Sequence, residues 1–209
     1  RRLSIIDISD AGHQPMVSAN GRYVITYNGE IYNFKELRQQ LEQLGHTFRS
    51  HSDTEVMLAA FVQWGPGSSL ERFNGMFAFA VWDRLDRQLW LARDRIGEKP
   101  LYYGVQNGTL FFASELKAIR ANLEFKPEID RDALASFFRF SYVPAPYSIY
   151  RGIKKLIPGH LLCLKSPVDL PESQPYWSLD TVMQNGKNNS FTGSEEKAAD
   201  ELERRLSET

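Results

Sequence analysis

Five residues stand at the ends of predicted strands or at a helix start, where proteins commonly place ligand-binding groups. Arg2 opens an apolar run that reads as the first strand. Asn28, Gly29 and Glu30 follow a β-branched and aromatic run that reads as the second. Asp53 stands at the start of a helix-forming segment. Rigid elements can aim side chains and free backbone N–H groups at one ligand from such positions.

Together these residues offer one cation, two carboxylates, one amide and one flexible backbone N–H, which fits an α-amino acid. The Arg2 guanidinium can form a fork with an α-carboxylate, and Asp53, with Glu30, can face an ammonium. Asn28 and the Gly29 N–H can point at a carbonyl oxygen on which negative charge develops. Each residue also has an ordinary structural explanation: a tight turn at Asn28-Gly29, a helix cap at Asp53 and an exposed position for Arg2.

Other chemistry-bearing residues show weaker patterns. Neither HExxH nor CxxC occurs, and the Gly-rich phosphate-loop motifs are missing, so the sequence predicts no metal site. The cluster Arg93-Asp94-Arg95 is either a salt-bridged corner or a substrate clamp. Cys163 lies in an apolar strand pattern, which predicts a buried and inert thiol. Four histidines show no ligand spacing, and these are His13, His46, His51 and His160.

Composition excludes several classes of protein. The chain has 209 residues, of which 42% are hydrophobic, and a formal net charge of −1. It can therefore form a real core, and it has no bulk electrostatic basis for binding nucleic acid or a membrane surface. No apolar stretch approaches the roughly 18–20 residues of a membrane span. The single cysteine rules out a disulfide framework and agrees with a cytoplasmic location.

The hydrophobic pattern predicts alternating short strands and helices. A helix is expected after Asn33 as N-cap, with Leu37, Leu41 and Leu44 on one face, and another after Ser52. Residues 76–83 are apolar at nearly every position, which indicates a strand covered on both faces. The remaining predicted elements are strands over 22–27 (ended by Asn28-Gly29), 88–92, 101–105, 110–113 and 161–164, and helices over 114–121 and, after Asp130, over 131–140. The pair Asn107-Gly108 predicts a hairpin turn between the strands that flank it.

The chain is expected to divide into three parts. Residues 1–165 form the main domain, 166–193 form a polar linker, and 194–209 form the first helix of a further domain. The chain begins at Arg1 without a Met or a signal-like segment. We therefore expect a fragment that lacks residues at both ends.

Several separated motifs resemble the glutaminase domain of asparagine synthetases, which is of the class II glutamine amidotransferase type. The resemblance covers nearly the whole chain in order. The motifs are RRLSIID (1–7), YNGEIYN (27–33), SDTE (52–55), GMFAFA (75–80), RDRIGEKPLYY (93–103), SELK (114–117), PGH (158–160) and YW (176–177).

The resemblance implies an α+β fold of the N-terminal-nucleophile (Ntn) hydrolase type, a four-layer sandwich with two antiparallel sheets between helical layers. It implies attack of a thiolate on the glutamine side-chain amide, a thioester, and release of ammonia to an ATP- and Mg-dependent C-terminal synthetase domain that makes asparagine. The family nucleophile is the first residue of the mature chain, a Cys whose α-amino group acts as base. Arg1 is not that residue, so the fragment alone is expected to be inactive.

The resemblance also implies roles for individual residues. Asn28 and Gly29 match the oxyanion hole, and Glu30 and Asp53 match the groups that hold the amino-acid end of glutamine. Arg2 resembles the α-carboxylate binder, and the segment that lines the pocket is Leu3, Ser4, Ile5 and Ile6. Relatives are often dimers, so a homodimer is an expectation without an identified contact face.

Two alternatives remain at this stage. A relative sharing the fold, such as a β-lactam synthetase-like or exopolysaccharide-pathway enzyme, could carry the same motifs without glutaminase activity or with another acceptor. A non-enzymatic amino-acid-binding module is the second alternative. The residue upstream of Arg1 would separate the first alternative from an amidotransferase.

Overall fold

A computed structural model of the chain describes residue 6 and residues 12–166 and 170–207. The residues up to Trp177 form one compact unit and those from Ser178 form a second. Apart from Ile6, the predicted first strand lies outside the described residues.

The first unit contains two antiparallel sheets. The six-stranded sheet has the order β1-β2-β3-β4-β8-β9, and the three-stranded sheet has the order β6-β5-β7. The strands are β1 (Met16–Val17), β2 (Tyr23–Ile31), β3 (Gly75–Asp83), β4 (Gln88–Arg93), β5 (Tyr102–Gln106), β6 (Thr109–Ala113), β7 (Ile153–Lys155), β8 (His160–Leu164) and β9 (Gln174–Pro175). The helices of this unit are α1 (Phe34–Gln43), α2 (Asp53–Trp64), α3 (Pro66–Leu70), α4 (Leu116–Arg120) and α5 (Arg131–Phe140).

Strand β3 is covered on both faces, as its apolar sequence predicts. Phe77, Phe79 and Val81 pack into the core that the six-stranded sheet shares with α1 and α2. Ala78 and Ala80 point the other way, into the core between the two sheets. Because successive strand residues point to opposite faces, the large residues fill the helix side and the alanines let the sheets approach.

The layers follow from three separate cores. The first lies between α1, α2 and the six-stranded sheet, and the second between the two sheets. A third core joins β6 and β7 to Ile119 of α4 and to Phe125. The order is therefore helices, sheet, sheet, helix, which confirms the predicted α+β sandwich of two antiparallel sheets between helical layers.

Several local predictions are confirmed. Ser52 caps α2 by accepting a hydrogen bond from the Thr54 N–H at 3.2 Å. Asp130 caps α5, accepting from the N–H groups of Asp132 and Ala133. The turn between β5 and β6 has Asn107 and Gly108 at positive φ, 52° and 77°, the conformation that an Asn-Gly hairpin turn requires.

Asn33 occupies the N-cap position of α1, as predicted, but its side chain makes no cap hydrogen bond. Its Oδ1 accepts from the Asn74 N–H and its Nδ2 donates to the Arg72 carbonyl, both at 2.9 Å, so the side chain is used to hold the loop before β3. Leu44, predicted on the buried face, is exposed because α1 ends at Gln43.

The polar segment 166–193 is not irregular throughout, contrary to the linker prediction. β9 pairs with β8, and the Tyr176 hydroxyl donates to the Arg93 carbonyl at 2.8 Å. A helix, α6 (Leu179–Asn188), follows, capped by Ser178, which accepts from the Thr181 N–H. The Ser178 cap and three apolar residues at helical spacing favour the helix despite the polar composition of the segment. The three apolar residues are Leu179, Val182 and Met183.

The second unit contains α6 and α7 (Glu195–Ser207). Neither helix buries a side chain within this unit's described residues. Hydrogen bonds from Arg204 and Arg205 lower the pKa of Glu201 to about 2. Assigning α7 to the start of a further domain stays a prediction.

An ion pair between the half-buried Arg22 and the buried Asp83 closes the end of the sheet at the β3–β4 turn. The Arg22 guanidinium donates to both carboxylate oxygens of Asp83, at 2.7–3.1 Å. Burial alone would raise the pKa of Asp83, but Arg22 and the N–H groups of Asp86 and Leu85 outweigh it, so that this pKa lies below its ordinary value of 3.8. The ionised carboxylate therefore stabilises the folded chain.

This depressed pKa predicts a pH-dependent stability. The contribution of Asp83 is fully present above the unfolded-state pKa of about 3.9 and is lost as pH falls through the lower folded-state pKa. We expect Asp83→Asn to unfold at a lower urea concentration than wild type near neutral pH, with the difference shrinking below about pH 4. Asp86→Asn is the control, because Asp86 also pairs with Arg22 but is half exposed, so its loss should matter less. If Asp83→Asn differed from wild type by the same amount near neutral pH and below about pH 4, the prediction would be contradicted.

Candidate functional site

The C-terminal half of β2 carries the residues that the sequence singled out. Asn28-Gly29 was predicted to end this strand, but the strand continues to Ile31, with Asn28 opposite Ala78 and Gly29 opposite Phe77 of β3. A complete partner strand therefore overrides the turn preference of Asn-Gly.

One carboxylate oxygen holds both ends of the Asn28-Gly29-Glu30 segment. Asp53, the first residue of α2, is 5% exposed. Its Oδ2 accepts a hydrogen bond from the Tyr27 hydroxyl at 2.8 Å and another from the Ile31 N–H at 3.1 Å. Burial and then the nearby Asp53 charge raise the pKa of Tyr27, so the phenol stays protonated and donates.

The Gly29 N–H is directed away from β3. Residues two apart in an antiparallel strand direct their backbone groups to the same side. Tyr27 donates its N–H to the Gln14 side chain at 2.6 Å and Ile31 donates to Asp53, both outside the β2–β3 ladder. The Gly29 N–H between them shares this direction, and no acceptor for it occurs among the described residues. It is available to a ligand at this edge of the sheet.

Asn28 projects to the other face of β2, toward the three-stranded sheet. Its Nδ2 donates to Ser114 Oγ at 3.3 Å. Ser114 follows β6 directly, so this contact joins the two sheets. An amide nitrogen carries two hydrogens, and the second one of Asn28 has no acceptor among the described residues, so it can donate to a ligand.

Gly29 has no room for a side chain. Its φ is +152°, and a Cβ would lie 2.1 Å from the Met76 carbonyl oxygen and 2.7 Å from Phe77 Cα. A Cβ added to Gly75 on β3 would likewise lie 2.1 Å from the Glu30 carbonyl oxygen of β2. The backbones of β2 and β3 approach each other here because both positions are glycine.

The structure therefore brings together four of the predicted site residues: Asn28, Gly29, Glu30 and Asp53. Of the other five, only Ile6 is among the described residues, and it is half-buried. The remaining four lie outside the described residues, and they are Arg2, Leu3, Ser4 and Ile5. The predicted roles of all nine in binding glutamine stay predictions.

Two residues of the site were missed by sequence reasoning. Tyr27 and Ser114 each begin a motif used for the resemblance, YNGEIYN and SELK, but neither was given a role. Their partners are 26 and 86 residues away in the chain. No local pattern connects residues at such separations, so only the fold reveals these contacts.

The cluster after β4 is a structural corner rather than a clamp. Arg93 donates to three backbone carbonyls, those of Gly97, Lys99 and Leu156, at 2.6–2.8 Å. Asp94 is fully buried and accepts from four backbone N–H groups, including that of Phe77 at 3.2 Å. Both charges are used to hold the loop beside the β3 residue that pairs with Gly29.

Cys163 is remote from these residues. Across the sheet, Cys163 of β8 pairs with Trp90 of β4, which pairs with Val81 of β3. Val81 is three residues along β3 from Ala78, the partner of Asn28. Three strand spacings and three residues put the two Cα atoms roughly 17 Å apart. The thiol is half-buried rather than buried, and burial raises its pKa, so little thiolate forms.

The described part of the chain contains neither a cluster of metal ligands nor a candidate membrane-spanning helix. Its histidines, cysteine and carboxylates form no cluster of three that could hold a metal ion. Within the same residues, no helix has the length and apolar character that crossing a membrane requires.

Comparison with known proteins agrees with this architecture. The layered fold is of the Ntn-hydrolase type, shared with the glutamine phosphoribosylpyrophosphate amidotransferase of Bacillus subtilis (TM-score 0.54, 24% identity, covering 78% of this chain and 32% of that one). Residues 1–177 match the family model described as a glutamine amidotransferase domain. The chain belongs to this glutamine amidotransferase domain family.

Curated relatives are longer proteins. The chain is 38% identical to asparagine synthetase [glutamine-hydrolyzing] 3 of Bacillus subtilis over 184 residues, which cover 87% of this chain and 29% of that protein. It is 41% identical to asparagine synthetase [glutamine-hydrolyzing] 1 of the same organism over 170 residues, covering 81% and 26%. The chain thus spans under a third of the length of these two relatives.

The close approach of β2 and β3 predicts that Gly29→Ala is strongly destabilising. The new methyl group would meet backbone atoms, which cannot move aside without breaking the strand pair. We expect the free energy of unfolding, measured in urea, to fall by about 2–4 kcal/mol.

Gly21→Ala is the matched control, since Gly21 has φ +75° but no atom within 4 Å of the added Cβ. It should cost only about 1 kcal/mol. Equal losses in the two variants would show that the contact with β3 is not the cause.

Proposed function

We propose that this chain is the glutaminase domain of an asparagine synthetase, and that it binds glutamine and presents its side-chain amide for hydrolysis. The observation that carries the proposal is the convergence of Asn28, Gly29, Glu30 and Asp53 at one end of β2. The family match and the names of the longer relatives support it.

In the proposed mechanism the tetrahedral oxyanion accepts hydrogen bonds from the Gly29 N–H and from the second Nδ2 hydrogen of Asn28. Both donors are held before the reaction begins, so they need no reorganisation as charge develops on the oxygen. Glu30 and Asp53 face the ammonium of the substrate. Among the described residues, the other Asp53 oxygen, Oδ1, has only a 3.5 Å contact with Thr54 Oγ1, so it can accept a hydrogen bond from this ammonium.

The α-carboxylate is assigned to Arg2, and backbone groups of the segment after it line the pocket, as the resemblance implies. Leu3, Ser4, Ile5 and Ile6 make up that segment. A guanidinium provides two parallel donors for a carboxylate, which fixes both the position and the orientation of an amino acid.

The proposed reaction is thiolate attack on the amide carbon. The C–N bond breaks, the nitrogen leaves as ammonia after taking up a proton, and water hydrolyses the thioester to glutamate. Ammonia then passes to an ATP- and Mg-dependent domain that amidates aspartate. None of the described residues of this chain is assigned to ATP or Mg. We extend the proposal to a homodimer in the cytoplasm.

The proposal is tested by titrating the purified chain with L-glutamine in a calorimeter. We expect binding of L-glutamine, none of D-glutamine, and at least tenfold weaker binding by Glu30→Gln, because a carboxylate facing the ammonium is lost. Glu36→Gln on α1 is the control for a change of surface charge. Absence of L-glutamine binding would contradict the proposal, and glutamine binding by a full-length protein that releases no ammonia would favour the fold-sharing alternative.

Cys163 is predicted not to be the nucleophile. Cys163→Ser in the full-length protein should leave glutamine-dependent ammonia release within about twofold of wild type, because the thiol is protonated and distant from Asn28. For the same reason the 209-residue chain alone should release no ammonia. A thiol-dependent glutaminase activity of this chain that disappears in Cys163→Ser would overturn this prediction.

A further inference from the structure

The Asn28-Gly29 segment is held from both faces of β2. On the face of α2, the Tyr27 hydroxyl and the Ile31 N–H share one oxygen of Asp53. Because these two donors lie on either side of the segment, Asp53 sets the position of the Asn28-Gly29 segment relative to α2. One of the two hydrogen bonds comes from the Tyr27 side chain and the other from the Ile31 backbone.

On the opposite face, Ser114 sets the rotation of the Asn28 side chain. The contact between Asn28 Nδ2 and Ser114 Oγ is the hydrogen bond that the described residues give this amide. An amide rotates freely about its last side-chain bond unless a partner fixes it. With one Nδ2 hydrogen directed at Ser114, the direction of the second is also determined, since the amide is planar.

We propose that Tyr27 and Ser114 are positioning residues of the oxyanion hole, acting through Asp53 and Asn28 without touching the substrate. This inference rests on the proposed function. Hydrogen-bond donors stabilise a developing oxyanion only when their direction is fixed in advance. Loss of either contact lets a donor change its direction, although the donor group itself is retained.

The test uses the full-length protein, with rates normalised to active sites titrated by an irreversible glutamine analogue. Tyr27→Phe and Ser114→Ala should each lower the glutaminase kcat about tenfold and change KM by less than about threefold, because the donors act on the transition state. Normalisation removes any effect of partial unfolding on the apparent rate.

Two variants separate positioning from general packing. Tyr23→Phe removes a buried hydroxyl from the same face of the same strand, at the end where Asp83 lies. It should leave kcat within about twofold of wild type, even if it lowers stability as much as Tyr27→Phe. Ser114→Thr keeps the hydroxyl and should restore kcat to within about threefold of wild type.

Each outcome is decisive. Unchanged kcat in both Tyr27→Phe and Ser114→Ala, with an active wild type, would overturn this inference alone. An equal fall in Tyr23→Phe, or no recovery in Ser114→Thr, would also overturn it. A wild-type protein that releases no ammonia from glutamine would overturn the proposed function and the inference together.

Discussion

The buried carboxylate of Asp53 is the contact on which the candidate site depends. It stands in the first turn of α2, at the end of the helix where the dipole is favourable for a negative charge. Its Oδ2 accepts from both ends of a three-residue stretch of β2. A helix and a strand that meet only through apolar packing could slide past each other, whereas two directional hydrogen bonds to one atom define a single register between them.

The layered core places this contact beside the part of the β2 edge that has no partner strand among the described residues. Strand β2 is paired along its whole length with β3 but only at Val24 and Ile25 with β1. The edge beyond Ile25 therefore leaves backbone groups without a described partner strand. Side chains from Gln14 and Asp53 take two of the N–H groups there, and the Gly29 N–H lies between them. An unpaired backbone donor in a fixed position is the kind of group that can stabilise an oxyanion.

Charged residues near the site divide into two kinds. The side chains of Arg93 and Asp94 form hydrogen bonds to backbone groups and stabilise the loop next to β3. Glu30 is half-buried at the other end of this part of β2, and no hydrogen-bond or ion-pair partner for its side chain occurs among the described residues. A buried charge that is satisfied by the protein serves the fold, while one that remains accessible can serve a ligand. This distinction separates two motifs that look equally polar in the sequence.

The sequence by itself determined the elements whose signals are local. The doubly apolar run of β3, the Asn107-Gly108 hairpin and the Ser52 and Asp130 caps depend on neighbours within a few residues, and all are present in the structure. The types and motifs of Asn28, Gly29, Glu30 and Asp53 are also visible in the chain, and the structure places these four residues near one end of β2, while their roles stay a prediction. Tertiary structure alone decided that β2 continues through Asn28-Gly29, that Asn33 bonds to the loop before β3, and that Tyr27 and Ser114 contact Asp53 and Asn28. The reason is that a strand partner or a hydrogen bond tens of residues away outweighs a local preference of a few tenths of a kcal/mol, and such partners leave no pattern along the chain.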